Sequence, residues 1–371
     1  MRGNNVLGLI FSNMHEEQLH DLTENRTMGS VPFGGRYCLI DFPLSNMVNS
    51  GINKVGVITK RNFQSLMDHL GSGKSWDLSR KREGLFILPP FDAEPFSPND
   101  RIELLSSAQS FLQNSREEFV LITDSNVVCN IDYADVLSQH IQDKADITIV
   151  CRCGKPPAEF ADPAVYTVAP DNRVCDMLIN PGNKGECCYG LNMMLIRREL
   201  LIRLITDCVS RNMTNFKRDL LQRNVGNYRI YAYDFKGFAK VICSEIAYFD
   251  ANMALMLPDV RAQLFDQRRP IYTKVHDNMP ARYGLGSSVS NSIVSDGCVI
   301  EGEVVNSVLF RGVHVDKGTR VHNCVLLQDP AVGCDCRLSY VIADKNVLIK
   351  NERNLLGFES YPMYIAKGSV V

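Results

Sequence analysis

The sequence predicts an α/β fold: a mixed, mostly parallel sheet with helices on both faces, followed by a short parallel β-helix. Three observations carry this. Short apolar runs alternate with amphipathic ones over the first two-thirds of the chain, hairpin-like pieces follow, and the last third repeats a strand-and-turn unit.

The first apolar run, VLGLIF (Val6–Phe11), is continuous rather than alternating, as strands covered on both faces are. KVGVIT (Lys54–Thr59), EFVLIT (Glu118–Thr123) and DITIVC (Asp146–Cys151) have the same character. Between them PLSNMVNSG, NFQSLMDHLG, IELLSSAQSFLQNS and DYADVLSQHIQDKA carry helical periodicity. Sheets of this kind bind ligands at the carboxyl ends of their strands, so the loop after Phe11 is the first place to look. AVYTVAPDNRVCDML and YRIYAYDF extend the sheet in mixed fashion, and EIAYFDANMALMLPDVRAQLFDQ reads as one long closing helix. Four similar segments then start at Asn291, Asn306, Asn323 and Ser339, which are 15, 17 and 16 residues apart. A strand and turn of that length cannot bury its own apolar face, but stacked copies can. The predicted organisation is an α/β domain over residues 1–266, a Pro- and charge-bearing linker over 267–284 and the β-helix over 285–371.

At 371 residues the chain is long enough for two domains. Its formal net charge of −2 argues against a nucleic-acid or anionic-membrane partner, which needs a basic surface. SRKRE (Ser79–Glu83) is a local basic cluster, read as a solvated loop. The 13 cysteines lack zinc-like spacing and read as free thiols of a reducing compartment. No run approaches the length of a membrane helix and no signal segment opens the chain, so the expected location is cytoplasmic.

VPFGGRYCLIDFPLSNMVNSGINKVGVIT (Val31–Thr59) resembles the F-G-G-x-[YF]-R-[LI]-I-D-F-x-L-S-N and N-S-G-I signature of bacterial ADP-glucose pyrophosphorylases, the glucose-1-phosphate adenylyltransferases. YFDANMALM (Tyr248–Met256) is similar to their Y-[WY]-x-A-N-M stretch, and NSVLFRGVHV (Asn306–Val315) and ADKNVLI (Ala343–Ile349) to their β-helix. The resemblance implies a nucleotidyltransferase-like first domain and a left-handed β-helix.

The departures from that family fall on its chemistry. Its opening G-G-x-G-[TS]-R-L uses glycines to bring backbone N–H groups close to a triphosphate. Asn13-Met14-His15-Glu16-Glu17-Gln18-Leu19 falls there, with no glycine and with Gln18 for the arginine. Glu16 and Glu17 put negative charge where the reaction gathers it. RTMG keeps Arg26 of the family's R-A-K-P but has Met28 for the lysine, and RIELLSSAQ lacks the G-T-A-D-A of nucleotide recognition. Asp124 in ITDSN keeps one metal aspartate, whereas Val241 stands at the second and cannot ligate Mg²⁺. Asn180 replaces the sugar-phosphate lysine, and Cys188–Asn192 replaces S-M-G-[IN]-Y.

The resemblance therefore implies the family's non-catalytic branch. That is a silent or very weak regulatory subunit in glycogen biosynthesis, modulating a catalytic glucose-1-phosphate adenylyltransferase subunit within a hetero-oligomer, a tetramer. No catalytic residue, metal site or cofactor is expected, save Mg²⁺ at a weak residual site through Asp124. A sugar phosphate or nucleotide is the expected effector class, and Arg36 and Lys345 fall where the family meets its effectors. The alternative is an active nucleotidyltransferase that joins a sugar 1-phosphate and an NTP through an atypical site.

Overall fold

The computed structural model describes residues 3–60, 62–80, 83–89, 101–157, 159–160, 163–182 and 185–371. Lys81 and Arg82 of the basic cluster lie outside the described residues. Val6–Phe11 runs through the sheet with Lys54–Ile58 and Phe119–Asp124 parallel on either side, and Gly84–Leu88 continues the parallel set beyond Lys54–Ile58. All six residues of Val6–Phe11 are buried, with Leu7, Leu9 and Phe11 in one apolar cluster and Val6 and Ile10 in another. A core on each face explains why the run is continuous rather than alternating.

On its other edge Phe119–Asp124 meets the long strand Cys187–Arg197, which is antiparallel to it. Ile147–Gly154 pairs antiparallel with Cys187–Arg197 and parallel with Ile230–Asp234, so the second half of the sheet is mixed. That pairing sets Cys153 opposite Cys188, and the two form a disulfide. The reading of every cysteine as a free thiol does not hold, because register, which spacing along the chain does not reveal, brings these two together.

The closing segment is two helices, Glu245–Ala254 and Pro258–Leu264, not one. Ser244 caps the first by accepting from the Ala247 N–H at 3.0 Å. Pro258 ends the continuity, since a residue before proline is driven out of the helical region and Leu257 is extended (φ −81°, ψ 123°).

From Arg282 onward, three parallel five-stranded sheets form the faces of a β-helix. The corners that open its repeats are left-handed: Asn291, Asn306, Asn323 and Tyr340 have φ between 42° and 53°. Asparagine suits this region because its short side chain tolerates it and bonds locally. Here Asn291 Nδ2 donates to Asn306 Oδ1 at 2.9 Å, and Asn306 donates on to Asn323. His322 pairs with Ser339, so the fourth repeat starts one residue later than the sequence pattern suggests, at Tyr340.

The two parts share an apolar cluster. Leu19, Leu22, Met28, Phe33, Tyr248 and Leu255 pack with Val308, Phe310, Val325, Leu327 and Ile342. The Pro32–Phe33 and Tyr37–Cys38 hairpin reaches across this seam. Gly35 at its tip has φ 87°, and a Cβ there would lie 2.8 Å from Ser295 Oγ, so the turn requires glycine. No helix among the described residues is long and apolar enough to cross a membrane.

Candidate functional site

The carboxyl end of Val6–Phe11 is closed by the chain's own charges. Asp124, at the end of Phe119–Asp124, is fully buried, and its Oδ2 accepts from Arg101 and lies 3.0 Å from His15 Nε2. Burial alone would raise the Asp124 carboxyl, but the Arg101 guanidinium and His15 outweigh it and hold it below the usual carboxylate range. Arg101 opens the helix Arg101–Ser107 and lies against the Phe11 and Phe216 rings, at 5.2 and 5.5 Å from their centroids. The space beside it, lined in part by Tyr166, Asn192, Phe216 and Lys217, is a cavity of about 30 Å³. That volume admits water.

The loop that follows is filled in the same way. Asn13 is buried; its Nδ2 donates to Glu16 Oε1 at 2.6 Å, and its Oδ1 accepts from the Lys60 N–H at 2.8 Å. Glu16 Oε1 also accepts from the Met28 N–H at 3.3 Å. The carboxylate thus takes donors that an anion-binding loop would offer its ligand. Burial, opposed by these bonds and by Lys60, pushes Glu16 up to about 7. Glu17 is exposed. Gln18 lies in the turn Glu16–Leu19, and its side chain is outside the described residues.

Asp124 does not fit a Mg²⁺ site. Its Oδ2 is already held by Arg101 and His15, its Oδ1 is buried without a hydrogen-bond partner, and Val241 is a buried apolar residue paired with Val127 that supplies no oxygen. No group of three or more potential metal ligands occurs among the described residues. Met28 is fully buried in the seam, where a lysine would carry its charge into an apolar cluster. Arg26 points to the β-helix: its Nη2 lies 2.7 Å from both Asp344 oxygens, and the Tyr364 hydroxyl lies 2.7 Å from Asp344 Oδ2. Asn180 is exposed, with φ 48°, just past the strand Val174–Ile179. Val241 instead lines an open cavity of about 440 Å³ with Arg152, Lys155, Lys240, Glu159 and Asp250, where charges of both signs face each other.

Arg36 and Lys345 come together elsewhere. Both line a cleft of about 460 Å³ between the hairpin and the β-helix, with Lys274, His276, Arg311 and Lys367. Asp68 is the acidic residue in its lining. Burial first, then neighbouring cations, lowers Arg311, His276 and Lys345 from their ordinary values. Arg311 Nε is buried without a hydrogen-bond partner. Cations crowded to that degree, with donors left over, make a site for an anion.

Sequence reasoning names Asp124, Glu16, Arg36 and Lys345 but misses Arg101, His15 and Arg311. Arg101 stands in the segment RIELLSSAQ, and only the fold shows that its guanidinium reaches Asp124.

Two family descriptions match the chain: "Nucleotidyl transferase" over residues 9–160 and "GlmU-like, C-terminal hexapeptide" over residues 275–360. The hexapeptide match identifies the coil as a left-handed β-helix. The chain is 35% identical over 371 residues to the glycogen biosynthesis protein GlgD of Bacillus subtilis, covering all of this chain and 98% of that protein. It is 37% identical over 321 residues to GlgD of Geobacillus stearothermophilus, covering 86% of this chain and 83% of that one. It is 34% identical over 325 residues to a glucose-1-phosphate adenylyltransferase of Thermotoga maritima, covering 85% and 76%.

Proposed function

The chain belongs to the family that holds GlgD and glucose-1-phosphate adenylyltransferase, and on that premise we propose that it is a catalytically silent regulatory subunit of glycogen biosynthesis. Its partner is a catalytic glucose-1-phosphate adenylyltransferase, joined in a hetero-tetramer in the cytoplasm, with an α/β domain over 1–266 and a β-helix over 285–371 joined by a linker. The effector is a sugar phosphate or nucleotide held by Arg36 and Lys345. The observation that carries the silence is Arg101 on Asp124: a cation occupies the metal's oxygen, and Glu16 occupies the loop's donors. An enzyme that has lost several charge-stabilising groups, each worth about 3 kcal/mol, falls by orders of magnitude in rate.

The test is an ADP-glucose synthesis assay on the purified chain with Mg²⁺, free of catalytic subunit. The expected result is no turnover, for the native sequence and for Val241→Asp alike, because the missing groups act as a unit. Turnover at about 1 s⁻¹ or faster would instead establish an active enzyme with an atypical site.

A further inference from the structure

The floor of the cationic cleft holds an arrangement that neither the silent site nor the effector reading uses. Cys38, half-buried at the end of the hairpin, lines the cleft. Its Sγ lies 3.6 Å from His69 Nδ1, and His69 Nε2 lies 2.6 Å from Asp41 Oδ1. The other Asp41 oxygen accepts from the Cys38 backbone N–H at 2.9 Å, so the carboxylate holds both partners. Asp41 is fully buried at the start of the helix Asp41–Asn49, and the Trp76 ring packs edge-on against the imidazole. Thiol, imidazole and carboxylate are in line, with Nδ1 facing the nucleophile and Nε2 the carboxylate, the reverse of the serine triad's use of the two ring nitrogens but the same division of roles. Burial alone would lower His69, yet the Cys38 sulfur and Asp41 raise it well above the ordinary imidazole value. Cys38 stands where the family signature has arginine, so the thiol is a departure specific to this position rather than part of the shared frame.

We propose that Cys38 is a covalent modification site, a nucleophilic thiol served by His69 and Asp41 that exchanges with an anionic low-molecular-weight disulfide drawn into the cleft. The geometry chooses the step. His69 Nδ1 takes the thiol proton while its Nε2–H is held by Asp41. The Cys38 sulfur attacks one sulfur of the disulfide R–S–S–R, forming Cys38–S–S–R as the R–S–S–R bond breaks. The leaving RS⁻ takes the proton back from His69 and departs as RSH. The Cys38 sulfur is oxidised to the disulfide level and the released sulfur is reduced, so the disulfide itself is the oxidant. Arg36, Lys274, Arg311, Lys345 and Lys367 select a carboxylate-bearing reagent, and about 460 Å³ accommodates a small peptide.

The consequence for regulation rests on the effector reading above: an anionic adduct would fill the cleft and displace the effector. The modification itself does not, because it is read on this chain alone. The full-length protein is incubated at pH 7 with glutathione disulfide and, separately, with the neutral bis(2-hydroxyethyl) disulfide, and the adducts are located by peptide mass spectrometry. The exposed Cys175 is the internal reference. Cys38 should react about tenfold faster than Cys175 with glutathione disulfide, the advantage of a thiol beside a cation. His69→Asn should bring Cys38 down to the Cys175 rate. Arg311→Gln should slow the reaction with glutathione disulfide more than that with the neutral disulfide, since it removes both the anion contact and part of the field on Cys38. Equal rates at Cys38 and Cys175 in the native chain, a comparison that needs no variant, would overturn the proposal. So would a His69→Asn chain in which Cys38 reacts as fast as before, and a neutral disulfide reacting as fast as the anionic one would overturn the choice of reagent.

Discussion

At the end of the sheet, around Phe11 and Asp124, polar partners come from within the chain: Arg101 and His15 sit on Asp124 Oδ2, and Asn13 and the Met28 N–H sit on Glu16, while Asp124 Oδ1 is buried without a hydrogen-bond partner. In the cleft around Arg36 and Lys345 they do not, and the cations there press on one another. A buried charge that has no ligand to wait for must find a partner in the protein, since leaving it alone costs several kcal/mol. A region where cations are left short of anions is one where the balancing charge comes from outside. On the proposed reading, the contrast puts the chain's ligand chemistry in the cleft rather than at the end of the sheet.

The largest effect that could break this contrast is at Arg101. Arg101→Met leaves Asp124 buried with His15 and the weaker influence of Lys217, and should destabilise the fold by about 3–5 kcal/mol, read from the urea midpoint at constant slope. A loss under about 1 kcal/mol would mean that solvent or a ligand already reaches Asp124 and that the end of the sheet is open.

Glu16 sharpens the same point through pH. Its folded value of about 7 lies above the unfolded 4.5, so its contribution to stability is full below pH 4.5 and is lost as pH rises through about 7. Glu16→Gln keeps an acceptor for Asn13 and the Met28 N–H without the charge. The variant should therefore match the native chain near pH 4 and exceed it at pH 8, by up to about 3 kcal/mol. Thermal melts at the two pH values check this; identical pH profiles would show that Glu16 is solvated.

The parallel frame and the repeat were legible because each is local: a continuous apolar run and a near-constant interval. Val241 and Met28 are apolar in the sequence and buried in the fold. The partners of Asp124 were not legible. Arg101 and His15 meet Asp124 from positions 23 and 109 residues away, and only the folded sheet brings them together. Gly84–Leu88 escaped notice as a strand because GLFIL follows a basic loop with no helix signal between. The closing helix was read too long because apolar periodicity continued across Pro258, where backbone sterics prevail. Arg36 and Lys345, named separately, turn out to share one cleft, a relation set by how the hairpin tip docks on the β-helix.

The smallest effect is in the cleft. Arg36 is exposed, its guanidinium 5.7 Å from the Tyr37 ring centroid, so Arg36→Ala should leave stability almost unchanged. In an assembly with the catalytic subunit it should weaken the effector response by a coupling of about 1–3 kcal/mol, seen as a five- to hundredfold shift in the activation midpoint, while the assembly still forms. An unchanged response would move the effector away from this chain's cleft.

The most direct test of the account is to mix the purified chain with a catalytic glucose-1-phosphate adenylyltransferase from the same organism and follow size-exclusion elution and ADP-glucose synthesis together. The account predicts a co-eluting hetero-oligomer whose maximal rate or effector response differs from that of the catalytic subunit alone, although this chain contributes no turnover. Separate elution, with kinetics identical in the presence and absence of this chain, would contradict it.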